Sequence, residues 1–387
     1  MTTAGQASRV VVALSGGVDS AVAAALARES GRDVLGMTLR LHSTSPAAAP
    51  AKSHGSCCAP EDIDDARAVA SQLGLPFYVL SAEDRFERHV IQPFLRAYTQ
   101  GETPLPCAAC NSNLKFGHLL RRARALGARL VTGHYAQVRC DAGGRYRLLR
   151  AADHRRDQSY FLYGLSQEAL AQVEFPIGAM TKDQVRSEAA RRGLRVAEKP
   201  DSQELCFVDG DYANYVERRS ADLPRGGRFV DLSGRRLGEH RGIHRYTVGQ
   251  RRGLPVLNGQ PTFVRRIDPA SGDIEVGFEE ALGRDEIELA DASYPGGAPV
   301  RPFEALVRVR HHHPGELATV TPLSGARAHV RFRAPVRAPA PGQAAVFYQG
   351  EETLGGGTIL PARPPLAART IAAVADQAAS EVTCVGG

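Results

Sequence analysis

The chain has 387 residues and a net charge of +6, so we expect two or three domains and a polyanionic partner such as RNA. No stretch approaches the roughly 20 apolar residues of a membrane span, and the N-terminus lacks the charged-then-apolar order of a signal peptide, which predicts a cytoplasmic protein without a membrane partner. Seven cysteines without an export signal favour thiol chemistry or a metal site over a disulfide framework.

Up to about residue 209, apolar runs alternate with helical patterns. This alternation predicts an α/β fold with a doubly wound parallel sheet, in which ligands bind at the carboxyl ends of the strands. Residues 42–59 form a predicted long loop. The predicted strands are 10–14, 34–41, 77–80 and 130–132, and the predicted helices are 20–30, 61–73, 86–98, 111–126, 181–192 and 211–219.

A glycine-rich run, Ser15-Gly16-Gly17-Val18-Asp19-Ser20, directly follows the first predicted strand and precedes a predicted helix. Glycines let the backbone approach an anion closely, and a helix N-terminus favours negative charge. The hydroxyl groups add donors, and Asp19 is placed to orient Mg²⁺ beside phosphates. The run therefore predicts a phosphate site, while a plain turn with Ser20 as helix N-cap remains open. It is not a Walker loop, because the first lysine of the chain is Lys52.

Beyond the predicted parallel sheet, the pattern changes to short strands. Residues 226–238 predict a hairpin, and strands at 305–309, 317–320, 328–332 and 344–348 predict a small β-barrel. We therefore expect a nucleotide-binding catalytic domain at 1–209, a small central linker domain at 210–287, a C-terminal β-barrel at 288–361 and a disordered tail at 362–387.

Two cysteines three residues apart, Cys107 and Cys110, precede a predicted helix that begins at Asn111 or Ser112. A thiolate at that place is stabilised by the helix dipole and is therefore reactive. Two buried small hydrophobic residues remain the alternative. A zinc site is disfavoured, because no second Cys-x-x-Cys or His pair occurs at ligand spacing. A further thiol, Cys206, lies where the α/β pattern ends.

Eight stretches in chain order resemble the bacterial tRNA-specific 2-thiouridylases, which belong to the N-type ATP pyrophosphatase superfamily. The resemblance covers roughly residues 9–361. It implies a tRNA-uridine 2-sulfurtransferase, in which ATP adenylates the C2 oxygen of the wobble uridine and sulfur then replaces this oxygen, giving 2-thiouridine, AMP and pyrophosphate. The stretches are 15–20, 103–106 with 110–111, 115–116, 132–135, 157–162, 206–207, 247–251 and 341–348.

The resemblance also implies which residues bind ATP with Mg²⁺ and which contact tRNA. The implied ATP contacts are Ala13, Leu14, Ser15, Gly16, Gly17, Val18, Asp19, Ser20, Leu39 and Gly133. The implied tRNA contacts are Leu105, Pro106, Cys107, His134, Arg156, Asp157, Gln158, Arg310, His311 and Gln343. Two positions depart from the family pattern: Cys107 stands where many members have Asp, and His311 stands where a Tyr is usual.

Cys110 and Cys206 are the catalytic residues that the resemblance implies. Cys206 carries a persulfide received from a cysteine desulfurase or a sulfur-relay protein, and Cys110 attacks it to form a transient disulfide. An alternative is a [4Fe-4S] cluster held by Cys107, Cys110 and Cys206, with one iron open to bind sulfide. Another ligase of the superfamily and a catalytically silent RNA-binding module are further alternatives. The expected substrates are tRNAs for Lys, Glu and Gln, and Cys57, Cys58 and Cys140 receive no role.

Overall fold

The computed structural model describes residues 9–41, 60–201, 205–208, 210–220, 223 and 226–362. The predicted loop at 42–59, with Cys57 and Cys58, lies outside these residues, as does the predicted tail beyond residue 362. In the described ranges, no helix combines the length and the apolar character needed to cross a bilayer.

A five-stranded parallel sheet forms the centre of the N-terminal region, in the order β3-β2-β1-β4-β7. This confirms the predicted doubly wound sheet. Val10, Val11 and Val12 are fully buried, as expected for a strand covered on both faces. The strands of this region are β1 (Arg9–Ala13), β2 (Asp33–Arg40), β3 (Phe77–Ser81), β4 (Arg129–Thr132), β5 (Gln137–Cys140), β6 (Tyr146–Leu149) and β7 (Val173–Glu174).

Helices cover both faces of this sheet and create two cores. Val10 and Val12 face one core, where the alanine-rich helix Val18–Glu29 packs closely because its side chains are small. Val11 faces the other core, with the helical runs 83–99 and 106–125. The α-helices are Val18–Glu29, Pro60–Gln72, Glu83–Phe86, Gln92–Thr99, Pro106–Cys110, Leu120–Ala125, Gln167–Leu170, Lys182–Arg191 and Tyr212–Arg219, the π-helical segments are Glu87–Ile91 and Asn111–Leu119, and the 3-10 helices are Ser159–Phe161, Ile243–Arg245 and Glu279–Leu282.

One predicted helix begins earlier than expected. The prediction places Cys107 and Cys110 just before a helix that starts at Asn111 or Ser112, but the helix begins at Pro106, so the prediction is wrong. Proline suits the first position of a helix, because its φ angle is already helical and its missing N–H would have no partner there. Both cysteines therefore lie in the first turns of a helical run.

The middle region contains a four-stranded sheet in the order β10-β11-β8-β9. The predicted hairpin is confirmed, because β8 and β9 pair as antiparallel neighbours. A small apolar core that includes Phe229, Val264 and Ile274 lies against this sheet. The strands are β8 (Gly227–Val230), β9 (Arg236–His240), β10 (Phe263–Ile267) and β11 (Ile274–Gly277).

The C-terminal region is a closed six-stranded barrel, as predicted, because β12 pairs with both β15 and β17. Strand β12 begins at Gly283, ahead of the predicted boundary at 288. The hairpin of β5 and β6 joins this barrel through Leu149 and Glu352, which no sequence pattern predicts. The strands are β12 (Gly283–Ser293), β13 (Phe303–Arg308), β14 (Glu316–Leu323), β15 (Arg327–Arg337), β16 (Ala344–Gln349) and β17 (Glu352–Ile359).

Candidate functional site

The glycine-rich turn lies at the carboxyl end of β1, before the first helix. Gly16 has a φ of +76°, and a Cβ there would meet the backbone oxygen of Asp62 at 2.2 Å, so only glycine fits. The helix N-cap is Gly17, so the N-cap interpretation of Ser20 is wrong. The Ser20 hydroxyl instead donates to the Gly17 carbonyl at 3.0 Å and accepts from the Ser15 amide at 3.1 Å.

Gly17 has few described atoms packed against its Cα. Among the described residues, an added Cβ would meet only the Ser15 hydroxyl, at 3.7 Å, so packing within the protein does not require glycine at this position. No side chain of the described residues caps the helix that begins here, which leaves first-turn amides available to an anion. Room for a ligand and amide donors beside it fit the phosphates of a nucleotide.

The other residues predicted to line the nucleotide lie at the same edge of the sheet. Ala13 ends the first strand and Leu14 follows it, Leu39 lies near the end of β2, and Gly133 follows β4. A Cβ at Gly133 would approach the backbone nitrogen of Ser20 to 2.6 Å, so the end of β4 packs directly against the helix start. The fold therefore brings these predicted residues together, because parallel strands share one carboxyl edge.

Lys182 joins the glycine-rich turn to a later segment. Its ammonium group donates to both carboxylate oxygens of Asp19, at 2.8 and 2.9 Å, and lies 2.7 Å from Asp201. The Tyr135 hydroxyl also donates to Asp19, at 2.8 Å. Burial tends to raise the pKa of Asp201, but Lys182 and neighbouring arginines together hold that pKa below its usual value. The Lys182 side chain is 8% exposed, so water screens these charges weakly.

Lys199 supports the turn from another side. Its ammonium group donates to the Gly16 carbonyl at 3.1 Å, to Asp62 at 2.6 Å and to Asp65 at 2.7 Å. Burial tends to lower the pKa of Lys199, but the two carboxylates raise it above its usual value. The group therefore stays a cation and fixes the turn to the helix that carries both carboxylates.

No motif singles out Lys182 or Lys199, yet the composition carries a signal. Lysine and arginine together number 48, but the chain has four lysines, Lys52, Lys115, Lys182 and Lys199. The three lysines in the described ranges all lie at this edge of the sheet. Lys182 and Lys199 contact the glycine-rich turn, and the Lys115 ammonium group lies 3.5 Å from the His134 ring. A lysine in an arginine-rich chain thus indicates a place where a compact ammonium serves better than a guanidinium fork.

His134, a predicted tRNA contact, is buried just after β4. Its Nδ1 lies 2.7 Å from the Thr132 hydroxyl and its Nε2 lies 3.3 Å from the Asn111 side-chain oxygen. The Lys115 ammonium group also lies 3.5 Å from Nε2. Burial, and then the Lys115 cation, hold the pKa of His134 well below its usual value, so the ring is neutral.

Cys110 and Cys206 pack against the same hydrophobic core, between the sheet and a helical layer. Cys206 precedes Phe207, whose ring lies edge-on to Phe94 at a centroid distance of 5.0 Å. Both thiols are half-buried, whereas Cys107 is exposed. The two cysteines that sequence resemblance pairs therefore share one packing environment, with Cys107 toward solvent.

The two arrangements that the sequence predicts for these thiols, a disulfide and a metal cluster, are not found among the described residues. Within the described ranges, Cys110 and Cys206 are not joined by a disulfide, so the predicted disulfide has no support. Those ranges also contain no group of three or more His, Cys, Asp or Glu side chains arranged to hold a metal ion. The described arrangement of Cys107, Cys110 and Cys206 therefore does not fit an iron–sulfur cluster.

The segment before the helical run faces the barrel. Leu105 packs in a cluster with Tyr160, Val346 and Tyr348, and Pro106 is buried at the helix start. Their predicted contact with the target base stays a prediction.

The predicted tRNA segment 156–158 divides into exposed and buried positions. Arg156 is 45% exposed and lies 2.7 Å from Asp201. Asp157 is 1% exposed and accepts hydrogen bonds from the Ser159 hydroxyl, at 2.9 Å, and the Ser159 amide, at 3.2 Å. The Gln158 side-chain oxygen accepts from a backbone amide. Arg156 thus presents its charge to solvent, whereas Asp157 organises the interior.

The predicted tRNA contacts from the barrel also touch the N-terminal region. Arg310 is exposed. The His311 ring lies 2.9 Å from the Asp157 carbonyl, and burial lowers the pKa of His311, so its neutral ring donates to that carbonyl. The Gln343 amide donates to the Thr103 carbonyl at 3.0 Å. In this structure, His311 and Gln343 are engaged within the protein.

Family models match three consecutive parts of the chain. They are described as the tRNA methyl transferase HUP domain at residues 8–210, the tRNA methyl transferase PRC-barrel domain at 214–278 and the aminomethyltransferase beta-barrel domain at 284–359.

Curated relatives match along most of the chain. A tRNA-specific 2-thiouridylase MnmA of Geobacter metallireducens is 47% identical over 354 residues, covering 91% of this chain and 96% of the relative. Proteins of the same name from Moorella thermoacetica and Chloroflexus aurantiacus are also 47% identical, covering 90% and 93% of this chain and 98% and 100% of the relatives. The matched region therefore covers nearly the whole length of each of these relatives.

Solved structures give more distant matches. An NH3-dependent NAD synthetase from Campylobacter jejuni has a TM-score of 0.34 at 16% identity, covering 52% of this chain and 72% of that chain. A 4-thiouridine synthetase in complex with RNA and ATP has a TM-score of 0.32 at 14% identity, covering 55% and 50%.

Proposed function

The chain belongs to the tRNA-specific 2-thiouridylase family, and from this premise we propose that it makes 2-thiouridine at the wobble position of tRNA. The observation that carries the proposal is the placement of two thiols, Cys110 and Cys206, against one core of the sheet whose carboxyl edge holds the glycine-rich turn. The family model that matches the N-terminal region is described as a tRNA methyl transferase domain. We propose sulfur transfer instead, because the chain carries a pair of thiols at this place. The expected compartment is the cytoplasm, because the substrate is a tRNA.

The first proposed step activates the uridine. The carbonyl carbon at C2 is a poor electrophile, so its oxygen attacks the α-phosphate of ATP and pyrophosphate leaves. When bound, ATP with Mg²⁺ supplies this leaving-group activation. The chain contributes the amides that follow Gly17, the hydroxyls of Ser15 and Ser20, and the cations Lys182 and Lys199 near the turn, which together favour an anion at this edge.

The second proposed step transfers sulfur. A persulfide on Cys206, received from a cysteine desulfurase or a relay protein, attacks C2 through its terminal sulfur, and AMP leaves with the former carbonyl oxygen. The Cys110 thiolate then attacks the Cys206 sulfur, which forms a disulfide and leaves the transferred sulfur on the base. A thiol reductant restores both cysteines. Cys110 is the fifth residue of the helix that begins at Pro106, so it lies in the second turn, where the helix dipole stabilises a thiolate less than in the first turn.

The tRNA contacts remain part of the proposal. The exposed cations Arg156 and Arg310 suit contact with tRNA phosphates. His134 and Gln343 are further proposed tRNA contacts. The proposed substrates are the tRNAs for Lys, Glu and Gln.

The decisive experiment measures 2-thiouridine in unmodified tRNA after incubation with ATP and a persulfide donor, by nuclease digestion and mass spectrometry. We expect Cys110→Ser and Cys206→Ser to lower the rate by at least about 100-fold. Cys140→Ser, which changes an exposed thiol on β5, is the matched control and should retain the rate. Full activity of Cys206→Ser would reject the persulfide route, and no thiolation by the unmodified protein would reject the function.

Cys107→Ser distinguishes the persulfide route from the iron–sulfur cluster, which the described residues do not fit. Under the persulfide route, this exposed thiol is not required, so the variant keeps thiolation in air. Loss of activity in Cys107→Ser, together with a requirement for anaerobic iron loading, would favour the cluster chemistry instead.

A further inference from the structure

The C-terminal barrel touches the segment that leads into the cysteine-bearing helix. We call residues 103–105 the entry segment and residues 341–343 the barrel turn. The Thr103 amide donates to the Pro341 carbonyl at 2.7 Å. The Gln343 side-chain amide donates back to the Thr103 carbonyl at 3.0 Å and to the Pro104 carbonyl at 3.3 Å. The barrel turn therefore accepts one hydrogen bond from the entry segment and donates to two of its carbonyl groups.

The barrel turn is itself fixed to the barrel. The Gly342 amide donates to the Ile359 carbonyl at 2.9 Å, and the Ile359 amide donates to the Gln343 carbonyl at 2.8 Å. Gly342 has a φ of +86°, and a Cβ there would lie 3.0 Å from the backbone nitrogen and oxygen of Thr103. Close approach of the two backbones therefore depends on glycine at this position.

Two further contacts hold the entry segment. The Leu105 side chain packs among barrel residues that include Val346 and Tyr348. The Thr103 hydroxyl lies 3.2 Å from the hydroxyl of Thr247, which belongs to the middle region. The helix that carries Cys107 and Cys110 begins directly after Leu105. Its starting position is thus set by groups from all three regions of the chain.

Proline makes this support necessary. Pro104 and Pro106 have no backbone N–H, so the entry segment cannot secure itself through a regular hydrogen-bond ladder. Its carbonyls at 103 and 104 obtain their donor from Gln343. A buried or half-buried carbonyl without a donor is costly, so loss of this side chain releases the segment just before the helix.

We propose that Gln343 is a positioning residue for sulfur transfer, acting from the barrel on the entry segment to fix the helix that carries Cys110. The proposal rests on the proposed function and assigns the barrel a part in the catalytic centre besides its predicted contact with tRNA. Gln343 acts through the backbone carbonyls of Thr103 and Pro104.

Gln343→Leu tests the proposal, because it removes the amide donors while keeping a side chain of similar size. Gln349→Leu is the matched control, since Gln349 is exposed at the end of β16 in the same barrel. Amide hydrogen exchange of residues 105–112 is measured without tRNA, and the thiolation kcat and the tRNA Kd are measured separately. We expect exchange at least about 10-fold faster in Gln343→Leu and a kcat at least about 10-fold lower.

The kcat is measured at saturating tRNA, so that the contact with tRNA separately proposed for Gln343, which changes the Kd, does not affect it. Unchanged exchange with a weaker Kd would overturn the proposal and leave Gln343 as a direct tRNA contact. Faster exchange with an unchanged kcat would also overturn it. A protein that thiolates no tRNA would refute the proposed function. Because exchange is measured without tRNA, it would still show whether Gln343 holds the entry segment in place.

If Gln343→Leu does not fold, Gln343→Glu takes its place in the same measurements. It keeps the length of the side chain and replaces the amide donor with a carboxylate that cannot donate at neutral pH, so we expect faster exchange and a lower kcat than in the control. No change in either quantity would overturn the proposal.

Discussion

Lys182 and Asp19 form a two-pronged ion pair, with the ammonium nitrogen 2.8 Å and 2.9 Å from the two carboxylate oxygens. The same ammonium group lies 2.7 Å from Asp201. One buried cation therefore holds together two carboxylates that would otherwise repel each other. Since Asp19 belongs to the glycine-rich turn and Asp201 lies shortly before Cys206 in the chain, this ion pair links that turn to the segment that leads to Cys206.

Lys182→Met should destabilise the protein and weaken ATP binding. Removing the cation leaves Asp19 without its ammonium partner beside Asp201, which keeps ion pairs with Arg156 and Arg186. We expect this lost pairing and the added repulsion to cost roughly 2 kcal/mol of the free energy of unfolding. ATP affinity should fall at least about 10-fold, because the phosphates also lose a nearby cation. Thermal unfolding and isothermal calorimetry with a non-hydrolysable ATP analogue measure the two effects.

The double variant Lys182→Met with Asp19→Asn separates these effects. Neutralising Asp19 removes the repulsion, so the double variant should recover much of the lost stability without recovering ATP affinity. A single variant as stable as the unmodified protein would show that the ion pair contributes nothing to folding.

Gly17 and Gly133 should respond differently to alanine. Gly133→Ala places a Cβ 2.6 Å from the Ser20 nitrogen and should lower Tm by several degrees, because β4 and the helix start must separate. Gly17→Ala meets the Ser15 hydroxyl at an ordinary 3.7 Å, so its Tm should stay close to that of the unmodified protein. Its ATP affinity should nevertheless fall about 10-fold or more, since the methyl group enters the proposed phosphate space. Unchanged ATP affinity in Gly17→Ala would move the nucleotide site away from this turn.

The parts of the fold that local patterns determine were predictable. The apolar run 10–14 and the alanine-rich run after it specify a buried strand and its helix. The hairpin of β5 and β6 was not predictable, because its strands are short, half-buried and gain a role only by pairing with Glu352 far along the chain. The start of the cysteine-bearing helix at Pro106 follows a local rule, so the sequence does contain that signal.

The same distinction applies to the candidate site. The glycine-rich turn and the three cysteines follow from local residues, and so does the position of Gly133 after a strand. Lys182 and Lys199 reach Asp19 and Gly16 across more than 160 positions of sequence, and no local pattern encodes that meeting. Only the scarcity of lysine in an arginine-rich chain points to them.

Acid should destabilise the protein through His134. In the unfolded chain this histidine takes up a proton near pH 6.5, but burial and Lys115 hold its folded pKa well below that value. Below about pH 6.5 this residue therefore binds a proton in the unfolded state but not in the folded state, and the free energy of unfolding decreases as pH falls. At pH 5.5 the loss from this residue is at most about 1.4 kcal/mol, the value for a ring that stays unprotonated in the folded state.

His134→Gln should reduce this acid sensitivity, because glutamine keeps a hydrogen-bonding side chain without a titrating ring. The measurement is the difference in Tm between pH 7.5 and pH 5.5. His312→Gln is the control, since His312 is exposed. Several other buried histidines also have lowered pKa values, so part of the sensitivity should remain in His134→Gln. Equal differences in His134→Gln and the unmodified protein would contradict a protonation cost at this residue.

Arg156 and Asp157 are neighbours in the chain, but their substitutions should have opposite signatures. Asp157 is 1% exposed and accepts from the Ala151 amide, the Ser159 amide and the Ser159 hydroxyl. Asp157→Ala leaves these buried donors without an acceptor and should cost about 3 kcal/mol of the free energy of unfolding. Asp157→Asn keeps one acceptor oxygen and should cost less.

Arg156→Ala should leave stability nearly unchanged, because an ion pair with Asp201 at a 45% exposed side chain contributes at most about 1 kcal/mol. If Arg156 meets a tRNA phosphate as proposed, the tRNA Kd should rise several-fold and its dependence on salt should weaken by about one counterion. Chemical denaturation and filter binding at several salt concentrations separate the two residues. A large loss of stability in Arg156→Ala with an unchanged salt dependence would assign Arg156 to the fold and remove it from the tRNA surface.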